Sequence, residues 1–147
     1  MFNRIIEYSN QVAKKLGKGF SETVYHEALC AHLRSSSFTY NKEQIVPVTY
    51  RIEDQEYVVG NVRADIVLPD NDLIIECKAI EGNLRSLHIP QIIVYLNLLK
   101  YNNGILINFN QNPSKDLVEH ITITRKDDRY IINGGEETFS KTGAKIT

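Results

Sequence analysis

The sequence predicts one α/β domain, a mixed sheet flanked by helices. Three observations carry this. Helical apolar periodicity appears near the N-terminus and again over residues 86–101. Between and after these stretches lie short β-rich runs separated by turn formers. The 147 residues give length for one real core, and α and β segments interleaved along one chain pack as layers.

Over residues 3–16, Ile5, Ile6, Val12, Ala13 and Leu16 mark a first amphipathic helix, ended by Gly17-Lys18-Gly19. Ser21 is the expected N-cap of a second helix running to about Arg34. Its apolar stripe is Val24, Tyr25, Ala28, Leu29, His32 and Leu33, and Ser35-Ser36-Ser37 breaks it. Residues 44–52 and 56–59 read as paired strands around the Glu53-Asp54-Gln55 turn. A second hairpin follows over 62–79. The third helix runs from Ser86 to about Tyr101, with Pro90 in its first turn, where a proline is tolerated. It is apolar on most sides, so it should be largely buried. Asn102-Asn103-Gly104 stops it, and residues 104–109 form a short buried strand. Residues 117–125 and 129–132 form a last hairpin around Lys126-Asp127-Asp128. The folded domain is expected over 1–132. The polar, Gly/Lys/Thr-rich stretch 133–147 is expected to be a flexible tail.

Composition narrows the class. No apolar run reaches membrane-spanning length, and Met1-Phe2-Asn3-Arg4 leads straight into the first helical pattern without a signal peptide. Cys30 and Cys77 both fall on apolar faces and read as reduced core thiols, so an intracellular location, cytoplasmic or nuclear, is expected. The net charge of −1 provides no global basic field. A nucleic-acid partner would need a local basic surface, and without metal it would bind weakly.

The most informative segment is the second hairpin: Arg63-Ala64-Asp65-Ile66-Val67-Leu68, the turn Pro69-Asp70-Asn71-Asp72, then Leu73-Ile74-Ile75-Glu76-Cys77-Lys78. A turn centred on Asp70-Asn71 sets Asp65 directly opposite Glu76. Alternation puts Ala64, Ile66, Leu68, Leu73, Ile75 and Cys77 on one face. The other face takes Arg63, Asp65, Val67, Ile74, Glu76 and Lys78. Like charges directly opposed destabilise a sheet, so the two carboxylates call for a cation. Mg²⁺, which binds through one or two carboxylates plus water and phosphate oxygens, would supply it. The alternative is an ordinary solvated hairpin face.

Two further positions stand out. Glu22 lies at the edge of the second helix's apolar stripe and leans toward the body, whereas Glu27 points about 140° away from it. Glu22 either interacts with the helix dipole or finds a partner inside. Gln91 and Tyr95 lie one turn apart on the third helix. Each is satisfied in the core, or, beside a hydrated metal, Gln91 holds the attacking water or a phosphate. His26, His32, His88 and His120 form no ligand pattern. His26 is expected to be exposed and His32 to pack at a core edge. Arg63, Lys42, Arg85 and Lys100 are candidates for a phosphate-binding rim.

Gly19-Phe20-Ser21-Glu22-Thr23-Val24-Tyr25 resembles the signature of the GxxExxY proteins of the PD-(D/E)XK nuclease-like superfamily. The resemblance continues in order through Gly60, Arg63-Ala64-Asp65, Glu76-Cys77-Lys78, Gln91, Tyr95 and Leu106-Ile107-Asn108-Phe109. It covers roughly residues 3–110 and implies a restriction-endonuclease-like core. It further implies that Asp65 and Glu76 bind metal, with the Cys77 carbonyl an added ligand and Glu22 on a second metal or a metal-bound water. Lys78 would orient the nucleophilic water and stabilise phosphorane charge, and Gln91 would support the nucleophile. Arg63 and Tyr95 are weaker candidates for contacting substrate. The expected activity is hydrolysis of DNA phosphodiesters with Mg²⁺, for which Mn²⁺ would substitute. The rivals are a non-catalytic nucleic-acid- or protein-binding module and a metal-dependent hydrolase acting on RNA or another phosphodiester. A nuclease of this size often pairs with a second copy to cut both strands, so a homodimer is among the expected partners.

Overall fold

The computed structural model describes residues 1–147, including the side chains of all of them except residues 85–87. Among the described residues, no helix is long and apolar enough to cross a membrane.

The elements are α1 (Phe2–Leu16), α2 (Glu22–Ser35), β1 (Asn41–Ile52), β2 (Gln55–Leu68), a 3₁₀ turn (Pro69–Asn71), β3 (Leu73–Lys78), α3 (Arg85–Leu99), β4 (Asn103–Phe109), β5 (Val118–Lys126), β6 (Arg129–Ile132) and β7 (Glu137–Ser140). The strands form one seven-stranded sheet in sequence order. Every neighbour pair is antiparallel except β3 and β4, which run parallel through the α3 crossover. The result is the expected α/β architecture, a mixed sheet with helices.

Both faces of the sheet are covered. On one side Ile66, Leu68, Ile75, Cys77 and Ile107 pack beneath Ile5, Leu29 and Leu33 of α1 and α2. On the other, Val67, Ile74, Leu106 and Ile123 meet Ile89, Ile92, Ile93 and Leu96 of α3. The near-continuous apolar runs of β3 and β4 follow from this double coverage. Gly104 lets α3 pack closely over β4, since a Cβ there would stand 2.8 Å from Ile92 Cδ1. Cys30 and Cys77 are free and buried.

The structure corrects several expectations. The runs 56–59 and 62–68 are one strand, β2, because Gly60 stays paired with Val48. Val24 is exposed rather than part of the buried stripe. Pro90 lies inside α3, beyond its first turn, because the helix starts at Arg85. Ala64 does not share a face with Ile66, since it packs in the α3-side cluster with Val67 and Ile74. The reason is local: the β1–β2 ladder skips Glu43 and Asp65, and Glu43 adopts φ 51°. Finally, the stretch expected to be a flexible tail contains β7, which pairs with β6 and buries Phe139. Its polar composition concealed one large apolar anchor. The chain then folds back, with Ser140 N–H donating to Ala144 O and Ile146 N–H to Thr138 O.

Candidate active site

The 3₁₀ turn, closed by Asp72 in the left-handed region at φ 51°, sets the β2–β3 register. The pairs are Leu68↔Leu73, Val67↔Ile74 and Ile66↔Ile75. The next position in that register is Asp65 opposite Glu76, where the backbone ladder gives way to side-chain bonds. Asp65 N–H donates to Glu76 Oε1 at 2.7 Å, and Cys77 N–H donates to Asp65 Oδ2 at 2.9 Å. Each carboxylate is thus held by the other strand's backbone. This face is not solvated, because α3 covers Val67 and Ile74 and Glu76 is 1% exposed. Burial, then the facing Asp65, push the Glu76 carboxyl up to about 9.

Around this pair the two helix layers supply the remaining groups. At the start of α2, Glu22 remains exposed on its outer side; partial burial of its carboxyl raises its pKa, and nearby Lys78 opposes the rise. Asp65, His26 and the Ala79 backbone N–H also act on Glu22. Glu27 points away as expected and pairs with Lys42 at 2.8 Å. From α3, Tyr95 is buried, and burial together with Glu76 and Asp65 pushes its phenol up to about 12. Gln91 lies against Tyr95 and His88, and its buried Oε1 has no hydrogen-bond partner among the described residues. An amide oxygen in that state fits a donor supplied from outside the chain, such as a water or substrate hydroxyl.

Asp65, Glu76 and Lys78 therefore meet at the C-terminal end of β3, with Tyr95 and Gln91 of α3 beside them and Glu22 of α2 within electrostatic reach of Lys78 and Asp65. Cys77 contributes backbone only, since its thiol is fully buried on the opposite side of the sheet. The rim cations do not converge. Arg63 is near Tyr95 and stands 3.8 Å from Glu43, whereas Lys42 is engaged with Glu27. Lys100 caps the far end of α3. The Arg85 side chain lies outside the described residues.

Sequence reasoning missed two histidines. His26, expected to be exposed, is buried, and its Nε2 lies 3.3 Å from the Asp65 carbonyl, which requires that nitrogen to carry the proton. Its spacing, one turn after Glu22, was the available signal. His88 stands near Lys78 and Gln91, and burial, then Lys78, lower its pKa.

A polar network fixes the surrounding loops. The fully buried Asn108 accepts from Ile80 N–H at 2.9 Å, and its Nδ2 donates to Ile80 O and Glu119 Oε1. The segment just after Lys78 is held in this way. Gln111 accepts from Gly19 N–H at 2.8 Å and donates to Tyr25 Oη. Tyr25 stacks on Phe109 at 4.7 Å and donates to Gly17 O at 2.7 Å. Gly19, at φ 107°, permits the turn that this anchoring needs. The Gly19–Tyr25 spacing thus places Glu22 at the start of α2 above the carboxylate pair.

Among the described residues, no three His, Cys, Asp or Glu side chains stand together as a ligand group. The two hard carboxylates Asp65 and Glu76 match what Mg²⁺ takes from a protein, the rest of its octahedron being water and substrate oxygens.

The sequence profile of the PD-(D/E)XK nuclease superfamily matches residues 1–121. The chain belongs to this superfamily. No curated protein matches it. Among solved structures, the crystal structure of SSO0001 superposes with a TM-score of 0.53 at 20% identity, over 85% of this chain and 63% of that one. That likeness is one of fold, and the chain spans about 63% of the SSO0001 structure's length. Nucleases that act on nucleic acid with a divalent metal are the usual members of the PD-(D/E)XK superfamily.

Proposed function

We propose that this protein is a Mg²⁺-dependent nuclease that hydrolyses DNA phosphodiesters, with Glu22, Asp65, Glu76, Lys78 and Gln91 as its working residues. The observation that carries this reading is the pair of half-buried Asp65 and buried Glu76, with Lys78 and Glu22 around it. Asp65, Glu76 and the Cys77 carbonyl would hold one ion, with Glu22 on a second ion or on its water. Bound there, Mg²⁺ lowers the pKa of water and neutralises phosphate charge. Lys78 orients the attacking water and balances charge that develops on the phosphorane. The unpartnered Oε1 of Gln91 accepts a hydrogen bond from that water and holds it in line. Arg63, 61% exposed at the mouth, and Tyr95 contact the substrate backbone. The Gly19-x-x-Glu22-x-x-Tyr25 signature supports placing the chain with the GxxExxY proteins.

The test is incubation with supercoiled, linear and single-stranded DNA, and with RNA, with and without Mg²⁺ or Mn²⁺. DNA cleavage should appear with metal and stop with chelator. Asp65→Ala, Glu76→Ala and Lys78→Ala should each remove nearly all of it, since the three act as a unit whose losses do not add. Wild-type cleavage by Lys78→Ala would reject the role given to that residue. Nucleic-acid binding without cleavage would support the non-catalytic reading, and cleavage of RNA alone would redirect the substrate.

A further inference from the structure

The β1–β2 hairpin reaches well beyond the end of β3, since the β2–β3 ladder ends at Ile66↔Ile75 while β2 begins at Gln55. On this arm, Val46, Val48, Tyr50 and Ile52 alternate with Pro47, Thr49 and Arg51. That is the pattern of a strand with one face meant to be covered. The register joins Val46 to Val62 and Tyr50 to Tyr57, so all these apolar residues share one face. Val59, the extra residue of the bulge between Val48 and Thr49, resets the alternation and keeps Tyr57 on that face. At its base the stripe is continuous with the α3-side core, where Val62 packs. Toward the tip nothing covers it: Tyr50 is 60%, Ile52 54% and Tyr57 49% exposed.

We propose that this stripe is a self-association surface, on which a second copy of the chain lays its own stripe face to face across a two-fold axis. Three observations select a second copy. First, the chain exposes 8274 Å², about 600 Å² more than a compact monomer of 16.8 kDa. Two copies that each bury such an excess remove about 1,200 Å², the lower bound for a specific interface. Second, residues 41–63 carry three basic and four acidic side chains, close to neutrality. The tip, Glu53-Asp54-Gln55-Glu56, is acidic, which opposes nucleic acid and suits an apolar protein contact. Third, Pro47 and Arg51 lie on β1, the edge strand, and oppose strand addition there, which leaves the face as the route to association. Tyrosines at the centre of the patch match the residues enriched in interface anchors.

This proposal does not depend on the nuclease reading. It is tested by sedimentation equilibrium of the full chain from about 1 to about 200 μM, where so small an interface should show a micromolar monomer–dimer equilibrium. Tyr50→Glu, and separately Ile52→Lys, should weaken the dimer at least tenfold. Melting of each variant at the lowest concentration should match that of monomeric wild type, because both side chains are exposed. Val58→Glu, 73% exposed on the opposite face, should leave the dimer intact. A wild type that stays monomeric throughout, or Tyr50→Glu and Ile52→Lys variants that dimerise like wild type, overturns the proposal. So does a dimer broken equally by Val58→Glu. A monomer whose binding to single-stranded oligonucleotide is lost in Tyr50→Glu would make the stripe a base-stacking platform instead.

Discussion

Replacing Glu76 with Gln should stabilise the metal-free protein, and the gain should grow with pH. Glu76 has its carboxyl pushed from 4.5 up to about 9, by burial first and by Asp65 second. Between those values the folded state keeps a proton that the unfolded state releases. The native state therefore binds more protons, and stability falls as pH rises through this window. Relative to pH 4.5, where the unfolded carboxyl is half ionised, the loss at pH 7 is about 3 kcal/mol, since the slope rises to about 1.4 kcal/mol per unit only above that pH. It reaches a ceiling of about 6 kcal/mol near pH 9. A glutamine side chain cannot ionise, and its Oε1 still accepts the Asp65 N–H that Glu76 Oε1 accepts at 2.7 Å. Glu76→Gln should thus melt roughly 5–10 °C above wild type at pH 7 and close to it at pH 4.5, by the size scaling of domains this long. The assay is thermal unfolding in chelator from pH 4.5 to 9. Adding Mn²⁺ should reverse the order, because binding must displace the proton and should therefore strengthen as pH rises. A melting difference that is flat with pH would refute the reasoning, since Glu76 would then be ionised in the fold.

Three further substitutions probe the site's rim and the C-terminal strand. Glu22→Gln should cut cleavage by at least tenfold with unchanged circular dichroism, whereas Glu27→Gln, which breaks an exposed pair with Lys42 and a 4.0 Å contact with His26, should stay within twofold in the same assay. Phe139→Ala should lower stability by about 2–3 kcal/mol in urea unfolding, as for a large apolar side chain removed from the margin of a core; an unchanged midpoint would mean that β7 contributes nothing to the fold.

Much of the site was legible because one short turn fixes it. Pro69–Asp72 sets the register, and register alone carries Asp65 to Glu76. Glu22 was legible from helix angle, because Leu29 and Leu33 define the buried side of α2. The face of Ala64 was not, because the skip at Glu43 and Asp65 is a backbone event with no periodic signature. His26 was passed over as a lone histidine, although its one-turn spacing from Glu22 shares the same helix face. Gly60 looked like a break between strands, yet a glycine that remains paired interrupts nothing. The C-terminal strand was hidden because four residues around Phe139 are too few for a period to emerge from polar surroundings.

The bond from Asp65 N–H to Glu76 has a mechanical side. It is made where the β2–β3 ladder ends and the long hairpin departs, so it is the last rivet fastening the hairpin to the body on that side. The hairpin's root and the carboxylate at the end of β3 thus share one bond, and whatever contacts Glu76 does so at the point where the projecting arm joins the body.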